Sequence, residues 1–452
     1  MEVYQVQQGK EVFLISLGCA RNRVDSEVML GSMLEKGWNI APSAREADLI
    51  IINTCGFIGP AKQEAIDTIL ECSEYRSIRP DLKIVVTGCL AQRYKKQLAK
   101  GLPEVDFFVG TDEFHKIAEI IESQPEKGEV IAKRSNYLYN ETLPRINTLS
   151  KGSAYVKVAE GCQHSCAFCI IPAIRGKLRS RSIQSIVKEV EQLTLQGVKE
   201  INLIAQDLAA FGRDKRDQKE DLLALLKGLT CLENLEWVRM LYLYPENISD
   251  EILDLIASEK KIVKYLDIPV QHASDSVLKR MKRAVDSKQL KEIFHKVRVK
   301  VPGIVIRTSV MVGFPGETES DFEELLNFIA EMKIDHLGCF TYSQEEGTVA
   351  ARMPDQIDEE IKKHRYKKVM ELQRIISKNK QKSFVGKVLP VLLEEISKKD
   401  SNLLLARLSC QAPEVDGVVY VERDSRLRLG EIYPVNIDSA GAYDFTAKGV
   451  FN

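Results

Sequence analysis

Cys162, Cys166 and Cys169 fall within eight residues, with three and then two positions between them. Three thiolates this close can converge on one small object, and soft thiolate ligands select zinc, copper(I) or an iron–sulfur cluster. A structural zinc ion takes four ligands. His164 is the nearby fourth candidate, yet it lies between two of the cysteines, where four groups would crowd one short loop. A four-iron cluster held by three cysteines leaves one iron open to a substrate or cofactor. That reading is favoured over a zinc loop or three cysteines that merely pack.

A second set emerges from the elements that position it. Val12–Ser16, Asp48–Asn53 and Lys83–Thr87 are short apolar runs that read as buried strands. Helical patterns lie between them, with Val24, Val28, Leu30 and Leu34 on one face of the first and Ala61–Tyr75 forming the second. Strands alternating with helices predict a parallel, doubly wound sheet. Cys19, Cys55 and Cys89 each sit just past the end of one of these strands, and each has a glycine beside it. Open α/β sheets bind ligands along that edge. One such cysteine would be a small buried hydrophobe, but three at equivalent places imply a second three-thiolate cluster with an open iron. Cys72, Cys231, Cys339 and Cys410 are assigned to packing.

Bulk properties bound the rest. A chain of 452 residues exceeds what one hydrophobic core supports, so two or three domains are expected. Apolar content of 44%, charged content of 29% and a net charge of −1 are those of an ordinary globular protein. They neither demand nor exclude nucleic acid. No apolar run approaches the ~20 residues of a membrane span, and the opening octapeptide lacks the basic and apolar regions of a signal peptide. A cytoplasmic protein is expected, without a membrane partner, its ten cysteines serving as ligands and buried thiols and not as disulfides.

From about Ser153 to Glu346 strands and helices keep alternating. Tyr155–Ala159, Glu200–Ala205, Glu236–Leu241, Tyr265–Pro269, Val305–Val312 and His336–Tyr342 read as strands, and Ile183–Leu195 and Leu222–Leu229 as helices. Six such units suit a partial barrel of TIM type, whose chemistry lies on the loops after the strands. The cysteine loop follows the first strand. Gln206-Asp207, Gln271-His272 and the turn-rich Val312–Glu317 follow others, Arg307-Thr308 lies inside a strand, and His272 could face a substrate. Asp355–Lys382 is a charged helical pattern with nine Lys or Arg against five Asp or Glu, read as a solvated helix bridging two domains. Beyond it, Val388–Leu393, Leu403–Arg407, Gly417–Val421 and Tyr433–Ile437 predict a small antiparallel barrel. From Phe384 onward eight Lys or Arg face ten Asp or Glu. A phosphate-binding surface should be basic, so RNA binding is not favoured and a basic protein is. Glu414, Asp416, Glu422 and Asp424 are expected on that contact face.

The central spacing, with Phe168 just before the third cysteine, resembles the radical S-adenosylmethionine (SAM) signature. Together with the three-cysteine domain and the terminal barrel, it makes nearly the whole chain resemble the methylthiotransferase family. Ser16-Leu17-Gly18-Cys19-Ala20-Arg21-Asn22-Arg23-Val24-Asp25-Ser26-Glu27, Pro172–Lys177 and Pro269–His272 resemble the branch that modifies an aspartate of a small-subunit ribosomal protein. Leu208 and Phe211 depart from it where threonine and tyrosine are common. The resemblance implies three domains: residues 1–140, an α/β domain with an auxiliary cluster; residues 141–380, a radical-SAM core with its bridging helix; and residues 381–452, a TRAM-like barrel.

It also implies two four-iron clusters and SAM as cofactors. The Cys162/Cys166/Cys169 cluster would bind SAM and reduce it, giving a 5′-deoxyadenosyl radical that takes hydrogen from the β-carbon of the target aspartate. The Cys19/Cys55/Cys89 cluster would present a methylated sulfur to the resulting carbon radical. Phe168, Gln206, Gln271, Arg307 and Gly313 are the candidates for the SAM pocket. A basic ribosomal protein is the implied substrate, and an electron donor such as a flavodoxin or ferredoxin is required. Two other readings are a transfer-RNA adenosine methylthiotransferase, which the basic Asp355–Lys382 segment would suit, and an iron–sulfur scaffold or electron carrier. A carrier usually protects its iron with four cysteines, whereas each set here has three.

Overall fold

Leu49–Thr54 is buried at every position, as a strand covered on both faces must be. It lies inside a six-stranded parallel sheet ordered Asn39–Ile40, Glu11–Ser16, Leu49–Thr54, Lys83–Gly88, Phe107–Val109 and Gly128–Val130. The computed structural model describes residues 9–123, 127–133, 135–215 and 220–451; the opening octapeptide lies outside them. This sheet belongs to the first of two compact units, comprising Met1–Thr148, Glu160–Gln163 and Ile170–Arg179. Helices Ala20–Glu35, Gly59–Glu74 and Cys89–Gly101 join its strands. Three of the six strands lack the long apolar run that marks the others, and they escaped the sequence pattern for that reason.

The second unit comprises Leu149–Ala159, His164–Cys169 and Ser180–Asn452. Its main sheet follows chain order through Ser153–Lys157, Glu200–Ile204, Trp237–Met240, Ile262–Asp267, Val305–Val312 and His336–Thr341, all parallel and open. The fourth strand begins three residues before the predicted Tyr265. Helix starts are set locally: the Ser182, Asp221 and Ser249 side chains accept backbone N–H bonds, and Asp286 and Thr318 form capping boxes.

The terminal barrel is closed by five strands, Val388–Ile396, Leu403–Leu408, Val419–Glu422, Ile432–Ala440 and Phe445–Gly449. The fifth, Phe-Thr-Ala-Lys-Gly, has one large apolar residue and was not expected. Helix Glu359–Gln381 is less solvated than its composition suggests. Its buried face is mostly polar, with Lys362, Arg365, Gln373, Ser377 and Gln381 beside Val369. Gln373 donates to the Ile334 carbonyl at 2.9 Å, Ser377 to the Asp335 carbonyl at 3.1 Å, and Gln381 to that of Tyr443 in the barrel at 3.1 Å. These bonds satisfy the donors of the three side chains, while the amide oxygens of Gln373 and Gln381 stay buried without a partner.

The barrel also docks on the main sheet through charge. Glu200 is wholly buried between Arg239, at 2.8 Å, and Arg407 of the barrel, which also reaches Glu394 at 2.7 Å. Asp416 accepts from the Tyr265 hydroxyl at 2.7 Å and lies 3.6 Å from Arg307 and 3.5 Å from His336. The expectation that Asp416 lines an exposed contact face is therefore corrected: its side chain is 2% exposed. Among its companions, Asp424 pairs with Arg426 at 2.8 Å, Glu422 with Lys448 at 3.1 Å, and Glu414 accepts from Tyr155 at 3.2 Å. Among the described residues, no helix is long and apolar enough to cross a membrane.

Candidate functional site

The register of the first sheet sets Ser16 abreast of Asn53, and Asn53 abreast of Thr87. Cys19, Cys55 and Cys89 follow these residues by three, two and two positions, so their segments leave one sheet edge together. Gly18 (φ +93°) makes the turn before Cys19, and a Cβ there would stand 2.8 Å from the Cys55 Cβ. At Gly88 a Cβ would stand 2.3 Å from the Asn53 amide oxygen. Both positions need glycine for its conformation and for the close approach. Gly18→Ala is expected to lower the stability of this unit by at least about 1–2 kcal/mol, the cost of a left-handed non-glycine residue. It should also reduce iron uptake. Urea unfolding and iron analysis check this, and wild-type values for both would show slack in the turn.

The polar residues of the first helix staple this edge. Asn22 donates to the Thr54 and Leu17 carbonyls at 3.0 and 3.1 Å, and Asn53 donates to the Asn22 carbonyl at 2.8 Å and the Ser26 hydroxyl at 2.9 Å. Glu27 holds Arg145 at 2.6 Å. Arg175 is buried here as well. Its guanidinium reaches Asp25 at 2.9 Å, Glu160 at 3.0 Å, the Asn22 amide oxygen at 2.7 Å and the Cys89 Sγ at 3.6 Å. Sequence reasoning quoted Asn22, Asp25 and Arg175 only as parts of motifs; the buried network gives each a task.

Electrostatics separate the three thiols. Burial would push Cys19 up, but Arg21, the Asn22 backbone N–H and Arg175 carry it below the usual thiol range. Burial and the neighbouring Cys89 push Cys55 up to about 12. Cys89 is raised by burial, against the pull of Arg175. The donor set fits an iron–sulfur cluster, with soft thiolates at one edge, glycine turns that leave room and a guanidinium that donates to one of the thiols. Among the described residues, no three His, Cys, Asp or Glu side chains converge as ligands of a single metal ion.

On the central loop Cys162 is buried and its N–H donates to the Gly176 carbonyl at 3.1 Å. Cys166 is buried, with its Sγ 3.3 Å from the Tyr244 hydroxyl and 3.8 Å from an Arg283 nitrogen. Cys169 is half-buried, and its N–H donates to the Cys166 carbonyl at 3.1 Å. His164 turns away to Asp207, Nε2 to Oδ2 at 2.8 Å, and stacks on Tyr244 at 3.9 Å.

The SAM-pocket candidates divide. Phe168 and Met311 are half-buried against the apolar cluster that holds Phe314. Gln271, held at φ +72°, bridges to Val310. Gly313 closes the same strand against the Lys362 side chain, and Gln206 follows the strand Glu200–Ile204. Arg307 lies five residues before the strand's end, about 16 Å at the usual rise, paired with Asp267 at 3.1 Å and with Asp416. His272 is fully buried, and its Nδ1 accepts from the Ser274 N–H at 3.1 Å, so it does not face an open cleft. Cys231, assigned to packing, is exposed, whereas Cys72 and Cys339 are buried.

Comparison with known proteins places this geometry. Residues 11–110 match the Uncharacterized protein family UPF0004, residues 156–329 the Radical SAM superfamily and residues 385–450 the TRAM domain. The ribosomal protein uS12 methylthiotransferase RimO of Geotalea uraniireducens (strain Rf4) is 46% identical over 441 residues, covering 97% of this chain and 98% of the relative. The protein of the same name from Bdellovibrio bacteriovorus is 45% identical over 450 residues, 98% of both chains. The chain belongs to the uS12 methylthiotransferase family. Solved structures share the fold at low identity. The radical SAM methyltransferase TsrM of Kitasatospora setae superposes with a TM-score of 0.51 at 15% identity, over 74% of this chain and 75% of that one. The cobalamin-dependent radical enzyme OxsB gives 0.53 at 14%, over 82% and 56%.

Proposed function

We propose that this protein inserts a methylthio group at the β-carbon of an aspartate of ribosomal protein uS12. The observation that carries the reading is the second three-thiol edge, with Cys19, Cys55 and Cys89 just past strand residues that lie in register and Cys89 against buried Arg175. Radical generation needs one open iron, and sulfur delivery needs another. Cys162, Cys166 and Cys169 would hold one four-iron cluster, and the N-terminal set the other. When bound, the central cluster and SAM supply the radical chemistry and the auxiliary cluster supplies the sulfur.

The chain's own residues prepare these places. Phe168, Met311 and Phe314 form an apolar wall, while Gln206, Gln271 and Gly313 present amide and backbone groups at strand ends for the polar parts of SAM. Arg307 is left out of that pocket, because Asp267 and Asp416 hold its guanidinium. Arg175, Asn22 and Asp25 fix the auxiliary edge.

The substrate assignment follows the relatives, which are named for uS12. The acidity of the barrel adds less to it, since Asp416 is buried and Glu422 and Asp424 share the exposed surface with Lys448 and Arg426. An external electron donor of the flavodoxin or ferredoxin class and a cytoplasmic location belong to the same reading. Anaerobic assay of the reconstituted protein with SAM, offering uS12 and transfer RNA side by side, tests it. Methylthiolated aspartate in uS12, seen by mass spectrometry, is the expected product. Modification of the RNA with uS12 untouched would overturn the substrate and leave the cluster chemistry standing.

A further inference from the structure

Arg283 follows the short helix Asp275–Arg280 and is only 8% exposed, yet among the described residues it has no carboxylate within ion-pair distance. One guanidinium nitrogen lies 3.8 Å from the Cys166 Sγ, and another donates to the Pro269 carbonyl at 2.9 Å. Its Nε is buried without a partner. The guanidinium carbon stands 4.1 Å from the centre of the Tyr244 ring, and the His164 ring stands 3.9 Å from it, so two planar groups must occupy opposite faces. Asp207 fixes this stack by accepting from the Tyr244 N–H at 3.2 Å and by holding His164. A buried cation is costly unless an anion offsets it. Glu246 acts on it only from beyond ion-pair distance, so the geometry leaves Cys166 and whatever it ligates as the anion in contact with it.

Arg175 provides the contrast. It touches Cys89 in the same way, but Asp25 and Glu160 already compensate its charge. A fixed cation beside a cluster favours the state that carries one more negative charge, and burial strengthens the effect. Resting on the two-cluster reading above, we infer that Arg283 is a positioning residue for the central cluster: clamped on Tyr244, it raises the one-electron potential of that cluster, a tuning that the compensated Arg175 does not give the auxiliary one.

The test uses the full-length Cys19→Ala/Cys55→Ala/Cys89→Ala chain, reconstituted anaerobically without SAM, so that one cluster is followed by EPR through a redox titration. Arg283→Gln is expected to disfavour reduction at least tenfold, a lowering of about 59 mV for one electron. Arg283→Lys keeps the charge but loses the planar fork, and should shift by less than half as much. A loaded Arg283→Gln cluster at the parent potential overturns the inference, as does an Arg283→Lys cluster displaced by the full tenfold. If glutamine prevents iron uptake, the lysine variant decides by the same criterion. A parent triple variant that takes up no iron would overturn the cluster reading itself, and this inference with it.

Discussion

Replacing Cys19, Cys55 and Cys89 together by alanine is expected to abolish methylthio transfer while SAM cleavage to 5′-deoxyadenosine stays measurable. Iron bound after anaerobic reconstitution should fall by about half, since each three-cysteine set accounts for one cluster. The converse variant, Cys162→Ala/Cys166→Ala/Cys169→Ala, should lose a similar share of iron together with both activities. The asymmetry follows from the separate surroundings of the two sets, the first on the edge of its own parallel sheet and the second on the loop after Ser153–Lys157. Iron analysis and chromatography of 5′-deoxyadenosine check both outcomes. Full iron in the central variant would refute the assignment of that loop. Loss of cleavage in the N-terminal variant, with its remaining cluster intact, would refute the division of labour.

The second large effect lies at the opposite end of the main strands. Glu200→Ala should destabilise the second unit by about 3–5 kcal/mol, the cost of leaving buried charge unpaired, because Arg239 and Arg407 would lose their shared carboxylate. Burial would raise the Glu200 carboxyl, but Arg407 and Arg239 together hold it at about 2. A depressed folded value contributes stability that is fully present above the unfolded carboxylate range, near ~4.3. That contribution is lost as the pH falls from there toward 2. Wild-type protein should therefore weaken between about pH 4.5 and 2, and Glu200→Gln should flatten this limb while being less stable at neutral pH. Urea unfolding of both proteins across that range checks it. Identical acid limbs would mean that the carboxylate is not what joins the barrel to the sheet.

Much of this was legible in the chain. Cys162, Cys166 and Cys169 announce themselves by spacing, since local separation bounds how far apart their thiols can be. Cys19, Cys55 and Cys89 could be grouped because each follows an apolar run, and a parallel sheet delivers such ends to one edge. The register of Ser16, Asn53 and Thr87 supplies the physical basis for that grouping. Strands and helices with strong apolar periodicity, such as Leu49–Thr54 and Ile183–Leu195, were equally plain. Weakly apolar strands such as Gly128–Val130 and Phe445–Gly449 were not, because neighbours and not composition hold them in place.

Charge was the feature the sequence could not place. Counting acids from Phe384 onward suggested an exposed acidic face, but Asp416 faces Tyr265, Arg307 and His336, and Arg407 is buried against Glu200. Likewise, nothing near Arg175 in sequence shows that it meets Cys89, or that Arg283 meets Cys166. Spacing along the chain determines which ligands share a loop, and periodicity determines which faces are apolar. Which charge lies buried beside which thiol depends on contacts between residues 86 and 117 positions apart. Only the folded packing brings those groups together, and only burial makes their fields strong enough to matter.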